Sequence, residues 1–444
     1  MKKIYFIGIK GVGMTSLALA MQDVGWTVEG SDTGESFITD EILSSRSLEV
    51  RPLSAKIPKG TDLIVYSAAY SPPQTSIRTI SLAEALADFV HDKKVIAVAG
   101  VGGKTTTTAM LAALFHAADR DVGYYVGTGS ISGLKAPGAA GSDPYFIVEA
   151  DEYAISKTDK RPKFALLHPQ ILITTNIVHD HPDIYPDDSA TRAAFSDLIH
   201  TLPPDGTWIC NPSDPLTSII LQKSPPDCHI IKYDSSLPSI ELQVFGSQNQ
   251  LDAHAAVLAA IAADVPKEAA IRSIRAYAGA GRRQEYHGEI DGRLLYDDYG
   301  HHPQEIEITV KSFKEHFPTR HLILVFESHT YSRTEALLPE FAKALSLADL
   351  TFIMPIFESA REKGQPHSVT PSTFASMIPG ATPLTWENAA KTIWDASKPG
   401  NLILTMGAGF VYKLHQQWEK LGDPARSDLE GSAQPDHNQT GRKV

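Results

Sequence analysis

The residues Gly100-Val101-Gly102-Gly103-Lys104-Thr105 follow an apolar run, Val95 to Ala99, and open a second apolar stretch that reaches about Ala118. This reads as strand, glycine turn and helix. Glycines at such a turn let backbone N–H groups close on phosphate oxygens with no Cβ in the way. In that setting Lys104 reaches the β- and γ-phosphates of a nucleotide, and the Thr105 hydroxyl is placed to ligate Mg2+. The strict pattern wants one more glycine where this chain has Val98, so the match is to its GKT end and its strand–helix context.

If Thr105 holds Mg2+, carboxylates should stand at a neighbouring strand end. The β-rich run Tyr145 to Ala150 leads into Glu149-Ala150-Asp151-Glu152, and Ile171 to Thr175 leads into Asn176, His179, Asp180, His181 and Asp183. Mg2+ prefers hard oxygen ligands, which makes Glu149 the first expected metal ligand and a histidine the exception. A phosphate loop backed by two such clusters reads as ATP–Mg2+ chemistry.

A second glycine turn, Gly8-Ile9-Lys10-Gly11-Val12-Gly13, follows the strand Ile4 to Ile7 and precedes a helix from Met14 to Val24. A dinucleotide fingerprint needs glycine where Lys10 stands. A nucleotide sugar fits better: Gly11 and Gly13 allow close approach, and the helix N-terminus favours a diphosphate. Arg282-Arg283 and Arg333 are candidate anion clamps, since a guanidinium matches phosphate and carboxylate oxygens.

The elements that must position these residues fall into three α/β segments, as expected for 444 residues at about 150 per domain. The first, residues 1–92, is a βαβ unit with strands at Thr27 to Glu29 and Asp62 to Ser67. The second, 93–284, carries the phosphate loop, a helix from Ser189 to Leu202, irregular strands and loops from Pro203 to Pro238, and helices over Gln250 to Ala263 and near Lys267 to Tyr277. The third, 285–422, opens with a strand at Arg293 to Tyr296. A helix follows from Gln304 to Phe317, then strands at Leu322 to Phe326, Leu350 to Met354 and Leu402 to Met406. Residues 423–444 have almost nothing to bury and read as a disordered tail.

Composition narrows the classes. Lys and Arg number 40 against 52 Asp and Glu, a net charge of −12, which argues against nucleic acid as a partner. Two cysteines, Cys210 and Cys228, suit free thiols in a reducing compartment rather than a disulfide framework. No run approaches the ~20 apolar residues that span a bilayer, and the first residues read directly into a strand. No membrane insertion is expected, and a cytoplasmic location is.

Taken in order, FIGIKGVGM, AGVGGKTTT, VEADEY, TTNIVHDHPD, the GRR junction, YDDYGHHPQEI, HTYSRT and TMGAG resemble the ATP-dependent Mur ligases of bacterial cell-wall synthesis over the whole chain. The resemblance implies a three-domain α/β architecture: an N-terminal Rossmann-like domain, a central P-loop ATPase-like domain and a C-terminal Rossmann-like domain. It implies a UDP-sugar in the first, at Gly8, Gly11, Val12, Gly13, Asp32 and Ser67. In the second it implies ATP at Gly100, Gly102, Gly103, Lys104, Thr105, Thr106, Asn249 and Arg283, with Mg2+ at Thr105, Glu149 and His181. The third would hold the incoming amine at Tyr299, His301 and Arg333. Lys104, His181, His301 and Arg333 are the implied catalytic residues.

The implied reaction is non-redox. A carboxylate attacks the γ-phosphate of ATP, and an amine attacks the resulting acyl phosphate through a tetrahedral intermediate, in a monomer or homodimer. Domain closure would bring the two together and exclude water. Departures from the family pattern fall at Lys10, Val101, Gly102, Val178, Thr330, Pro355 and Phe410. For the substrate, HTYSRT and AREKG favour adding L-alanine to UDP-N-acetylmuramate, and because the third domain meets the differing substrate they weigh more. DEY and DKRPKF (Asp159 to Phe164) lean toward ligation of a preformed tripeptide. A nucleotide-binding regulatory or assembly protein that has lost catalysis is the reading from another class.

Overall fold

A computed structural model describes residues 2–156, 158–179, 184–358, 362 and 367–422. The chain divides into two compact units, Met1–Gly281 and Arg282–Val444.

The first unit contains two sheets. Strands β1 (Lys3–Ile7), β2 (Thr27–Asp32), β3 (Glu49–Pro52), β4 (Leu63–Tyr66) and β5 (Arg78–Ser81) form one, in the order β3-β2-β1-β4-β5. Every neighbour in it is parallel. The chain leaves β1 to build one side and returns to build the other. Such a reversal opens a crevice at the carboxyl ends of the strands, where Gly8 and Ser67 lie.

The second sheet contains β6 (Lys94–Ala99), β7 (Gly123–Tyr125), β8 (Gly138–Ala139), β9 (Tyr145–Glu149), β10 (Pro169–Thr174), β11 (Thr207–Cys210) and β12 (His229–Lys232). Their order is β12-β11-β10-β6-β9-β7-β8, with β6 between two arms built at different times, so the crevice at its end receives the phosphate loop. Parallel strands covered on both faces need unbroken apolar runs, and KVIAVA is buried from Val95 onward.

The helix Val12–Asp23 is buried without interruption from Met14 to Met21. An all-round apolar helix needs cover on every side. The first sheet supplies part of it, and the β7–β8 region the rest: Ser16 donates to the Val126 carbonyl at 2.6 Å, and a Cβ on Gly138 would lie 2.2 Å from the Ser16 carbonyl oxygen.

The second unit holds β13 (Glu285–Ile290), β14 (Arg293–Asp298), β15 (Leu322–Phe326), β16 (Leu350–Ile353), β17 (Thr382–Pro383) and β18 (Leu402–Met406), in the order β13-β14-β18-β15-β16-β17. Only the β13–β14 pair is antiparallel.

Two stretches differ from the sequence expectation. Pro203 to Pro238, read as irregular, contains two parallel strands of the main sheet and the helix Pro215–Lys223 between them. Its prolines mark boundaries: Pro215 occupies the first turn, behind Asp214, whose carboxylate accepts the Thr217 N–H at 2.8 Å. The third segment opens with β13, one strand earlier than expected, because EYHGEI is a polar edge strand with no apolar alternation to announce it. The tail expected from 423 onward lies outside the described residues.

Candidate active site

The phosphate loop is built for an anion. Gly103 lies in the left-handed region at φ 84°, and a Cβ there would stand 2.6 Å from Asp252 Oδ1. A Cβ on Gly100 would fall 2.0 Å from Thr175 Oγ1. Only glycine satisfies both places. The N–H groups of Val101 and Gly102 donate to Asn176 Oδ1 at 2.9 and 3.0 Å, so a side-chain oxygen takes the position that a phosphate oxygen would claim. Lys104 Nζ lies 2.7 Å from Glu152 Oε2 and 2.6 Å from the Gly100 carbonyl. Burial pulls the lysine's proton affinity down, but Glu152, Asp151 and Glu149 outweigh it, and the ammonium is held above the ordinary lysine range. Lys104 therefore stays charged.

Thr105 donates to Glu149 Oε1 at 2.7 Å, and the other oxygen of Glu149 accepts the Gly127 N–H at 2.6 Å. A hydroxyl and a carboxylate side by side at the loop make the hard oxygen pair that Mg2+ takes, so these two residues fit the ion. His181, with Asp180 and Asp183, lies outside the described residues. Asn249 is on the helix Ser247–Ala262, one turn before Asp252, and donates to the Phe245 carbonyl at 2.6 Å. Asp252 also accepts from Thr107 at 3.0 Å and so ties this helix to the loop. Neither Asp252 nor Asn176's occupation of the loop was readable beforehand: each depends on contacts between segments far apart in sequence.

The first glycine turn gathers its expected residues. Gly8, at φ 88°, has Ser67 Cβ and the Tyr70 ring within 3.0 Å of where a Cβ would stand. The Lys10 N–H donates to Asp32 Oδ2 at 2.7 Å, and Gly11 caps the helix that Val12 opens. Beside the turn is a cleft of about 410 Å³ lined in part by Lys10, Asp32, Thr33, Asp40 and Arg51. Packing also requires a glycine at Gly13. A Cβ there would sit 2.2 Å from the Tyr125 hydroxyl, so its bareness serves packing. Lys10 bonds to Asp40 at 3.0 Å and to the Glu35 carbonyl at 2.7 Å, turning its charge toward the 35–40 segment.

In the second unit, the Arg283 guanidinium lies 5.0 Å from the Tyr299 ring centre, and the Tyr299 and His301 rings are 5.5 Å apart. His301 Nδ1 is 3.3 Å from the Tyr299 carbonyl, and the His301 ring is 6.0 Å from that of His329. His329 stacks on Phe357 and leads into Thr330 and the short helix Tyr331–Ala336, which carries Arg333. Glu362 fixes that helix by accepting the N–H groups of Tyr331 and Ser332 at 3.1 and 3.0 Å. Thr330, a β-branched residue, is held at φ 71°. Such a conformation persists only where its surroundings impose it. Here the Phe357 carbonyl takes its N–H at 2.9 Å, and the Thr334 hydroxyl donates to its carbonyl at 2.6 Å.

Arg282 acts inside the fold: it is buried and donates to Asp297 at 2.8 Å and to the Gly407 and Gly409 carbonyls. Glu327, unremarked in the sequence, is buried under the same loop and accepts the Val411 N–H at 2.7 Å. Burial pushes its carboxyl up to about 7, and that of Asp298 up to about 6.

A parallel sheet with a glycine–lysine–threonine loop and an adjoining carboxylate defines a P-loop nucleotide-binding protein. The chain matches the Mur ligase family, catalytic domain, over residues 3–94, the Mur ligase middle domain over 98–259, and the Mur ligase, glutamate ligase domain over 282–409. It belongs to the Mur ligase family. It is 33% identical to a UDP-N-acetylmuramate--L-alanine ligase of Desulfitobacterium hafniense, across 93% of this chain and 98% of that one. The same comparison with the Clostridium novyi enzyme of that name gives 30%, across 94% and 97%. Among solved structures, UDP-N-acetylmuramate-alanine ligase of Thermotoga maritima superposes with a TM-score of 0.75 at 21% identity, over 96% of this chain and all (100%) of that one. A murein peptide ligase of Psychrobacter arcticus gives 0.73 at 24%, over 95% and 99%.

Proposed function

We propose that this chain joins L-alanine to the carboxylate of UDP-N-acetylmuramate, converting ATP to ADP and phosphate. The observation that carries the reading is full-length similarity to alanine-adding ligases, at 30% identity or more, in a chain that keeps the glycine–lysine–threonine end of its phosphate loop between strand and helix. A carboxylate oxygen of the sugar attacks the γ-phosphorus, ADP leaves, and an acyl phosphate results. The alanine amine, as its free base, then attacks the acyl carbon, and phosphate leaves from the tetrahedral intermediate.

Lys104 and the loop N–H groups supply positive potential where charge spreads over the transferred phosphoryl oxygens. Nucleotide binding must displace Asn176 Oδ1 from those N–H groups and draw Lys104 from Glu152. Thr105 and Glu149 would hold Mg2+, with His181 serving a second ion; bound there, Mg2+ neutralises phosphate charge. Asn249 meets the adenine and Arg283 the phosphates. The turn at Gly8, Gly11, Val12 and Gly13, with Asp32 and Ser67, takes the UDP-sugar, while Tyr299, His301 and Arg333 hold the amino acid. Within DKRPKF, Asp159 pairs with Arg161 at 2.7 Å, and Lys163 reaches Asp151 at 2.7 Å; the reading for L-alanine rests on the full-length similarity rather than on this segment.

No helix among the described residues is long and apolar enough to cross a membrane, and the cytoplasm, where ATP is supplied, is the proposed location. The test is ADP formation with each of the three substrates withheld in turn. The reading requires sustained ADP turnover, beyond one equivalent per enzyme, only when all three are present. ADP release indifferent to the sugar or the amine contradicts it, and no release at all favours the regulatory alternative.

A further inference from the structure

Three side chains of the second unit converge on a polar pocket that the ligase reading does not use. Glu285 and His287 stand two residues apart on β13 and so share a face, and Asp297 of β14 is the cross-strand partner of Glu285. The ladder register shifts between Tyr286 and Gly288, an irregularity of the kind that re-aims a side chain. One ligand-type atom from each of the three lies within 4.8 Å of the other two, and His287 Nε2 is 3.6 Å from Glu285 Oε2.

Asp297 lies at the buried end of the cluster, while the side chains of Glu285 and His287 are partly exposed. Asp297 is fully buried: Oδ2 accepts from Arg282 Nε at 2.8 Å and Oδ1 from Thr405 Oγ1 at 2.5 Å. Glu285 Oε2 accepts the Arg282 N–H at 2.7 Å. The two carboxylates thus meet Arg282 differently, Asp297 at its guanidinium and Glu285 at its backbone N–H. His287 stacks on His415 at 4.1 Å between ring centres, and His415 Nε2 meets Thr405 Oγ1 at 2.8 Å. His287 Nε2 and His415 Nδ1 are both buried with no hydrogen-bond partner in the structure. A buried polar atom without a partner is costly, and native folds leave few of them.

We propose that Glu285, His287 and Asp297 form a binding site for a divalent transition-metal ion of the zinc type, clamping the edge strand β13 to β14. One imidazole and two carboxylates suit Zn2+ and its neighbours better than Mg2+, which seeks oxygen alone. The clamp stands independently of the ligase reading, since none of its ligands belongs to the proposed substrate sites.

The test titrates Zn2+ into the full chain, stripped of metal and carrying His181→Ala, with Mg2+ in excess to saturate oxygen sites. One equivalent should bind with a Kd in the micromolar range or tighter, and thermal melts should shift upward with zinc. His287→Ala and Glu285→Gln should each weaken binding by at least about tenfold and abolish the shift. Glu285→Gln keeps size and hydrogen bonding, so it remains informative if the histidine variant fails to fold. The proposal is overturned by the absence of a stoichiometric site, by binding that ignores both substitutions, or by binding that is lost instead in Glu149→Gln.

Discussion

Lys104 brings a charge into a confined loop, and Glu152 is what makes that charge stable there. Removing the lysine alone has two expected effects: loss of the cation proposed to face the phosphates, and a carboxylate left buried beside an empty space. Lys104→Ala should reduce phosphate release by about a hundred- to a thousandfold and also lower the melting temperature, because an orphaned buried charge destabilises. Adding Glu152→Gln should restore the melting temperature and leave activity low. Recovery of activity in the double variant would remove Lys104 from the chemistry. At Arg333 the prediction concerns substrate alone. A lost charge-assisted bond to the amino acid's carboxylate should raise the amine KM by about ten- to a hundredfold, with the KM for ATP unchanged. Equal rises for both would assign Arg333 to folding.

The residues proposed to hold phosphate can be picked out at this scale because their types and adjacency suit that chemistry. Glu327, Asp252 and Glu362 cannot, since a carboxylate in a sequence does not disclose which distant backbone N–H or hydroxyl it will accept.

Among the elements, the helix Val12–Asp23 is the most constrained. In its glycine turn a Cβ on Gly8 would meet the Tyr70 ring and Ser67, and one on Gly13 the Tyr125 hydroxyl. Gly13→Ala should therefore destabilise the first unit by about 1–3 kcal/mol, the usual range for overpacking, as read from chemical denaturation. Tyr125→Phe in the same chain removes the clashing oxygen and should recover part of that loss. Unchanged stability in Gly13→Ala would mean that this helix lies farther from β7 than described here. The sequence revealed strands such as Val95 to Ala99 and Leu322 to Phe326 because burial on both faces demands continuous apolar runs. It hid β11 and β12, four residues each among prolines, and β13, whose polar edge needs no apolar face.

For the whole molecule, the two units invite separate measurements. Within the second, Glu327 is buried with its carboxyl raised to about 7 against an ordinary 4.5. The raised folded-state value means the neutral acid is preferred in the fold. The contribution is fully present below pH 4.5 and is lost as pH rises through 7. Glu327→Gln imitates the neutral form, so the variant should match the wild type near pH 5 and exceed it near pH 8, by at most about 3 kcal/mol. A gap independent of pH would show that Glu327 does not titrate in this range. His415, held down to about 3 by burial, acts in the opposite sense, losing stability as pH falls below 6.5; comparison with the single variant cancels its contribution.

Fold class and the three-part α/β organisation could be read from motif order, because each glycine turn must follow a strand and precede a helix. The incoming substrate is harder to read, since DKRPKF points one way and HTYSRT the other, and it is the full-length similarity to alanine-adding ligases that favours the second. The decisive measurement is phosphate release with ATP, Mg2+ and UDP-N-acetylmuramate, comparing L-alanine with L-alanyl-γ-D-glutamyl-meso-diaminopimelate. Release with alanine and not with the tripeptide is the predicted result; release with the tripeptide alone would contradict the proposed reaction.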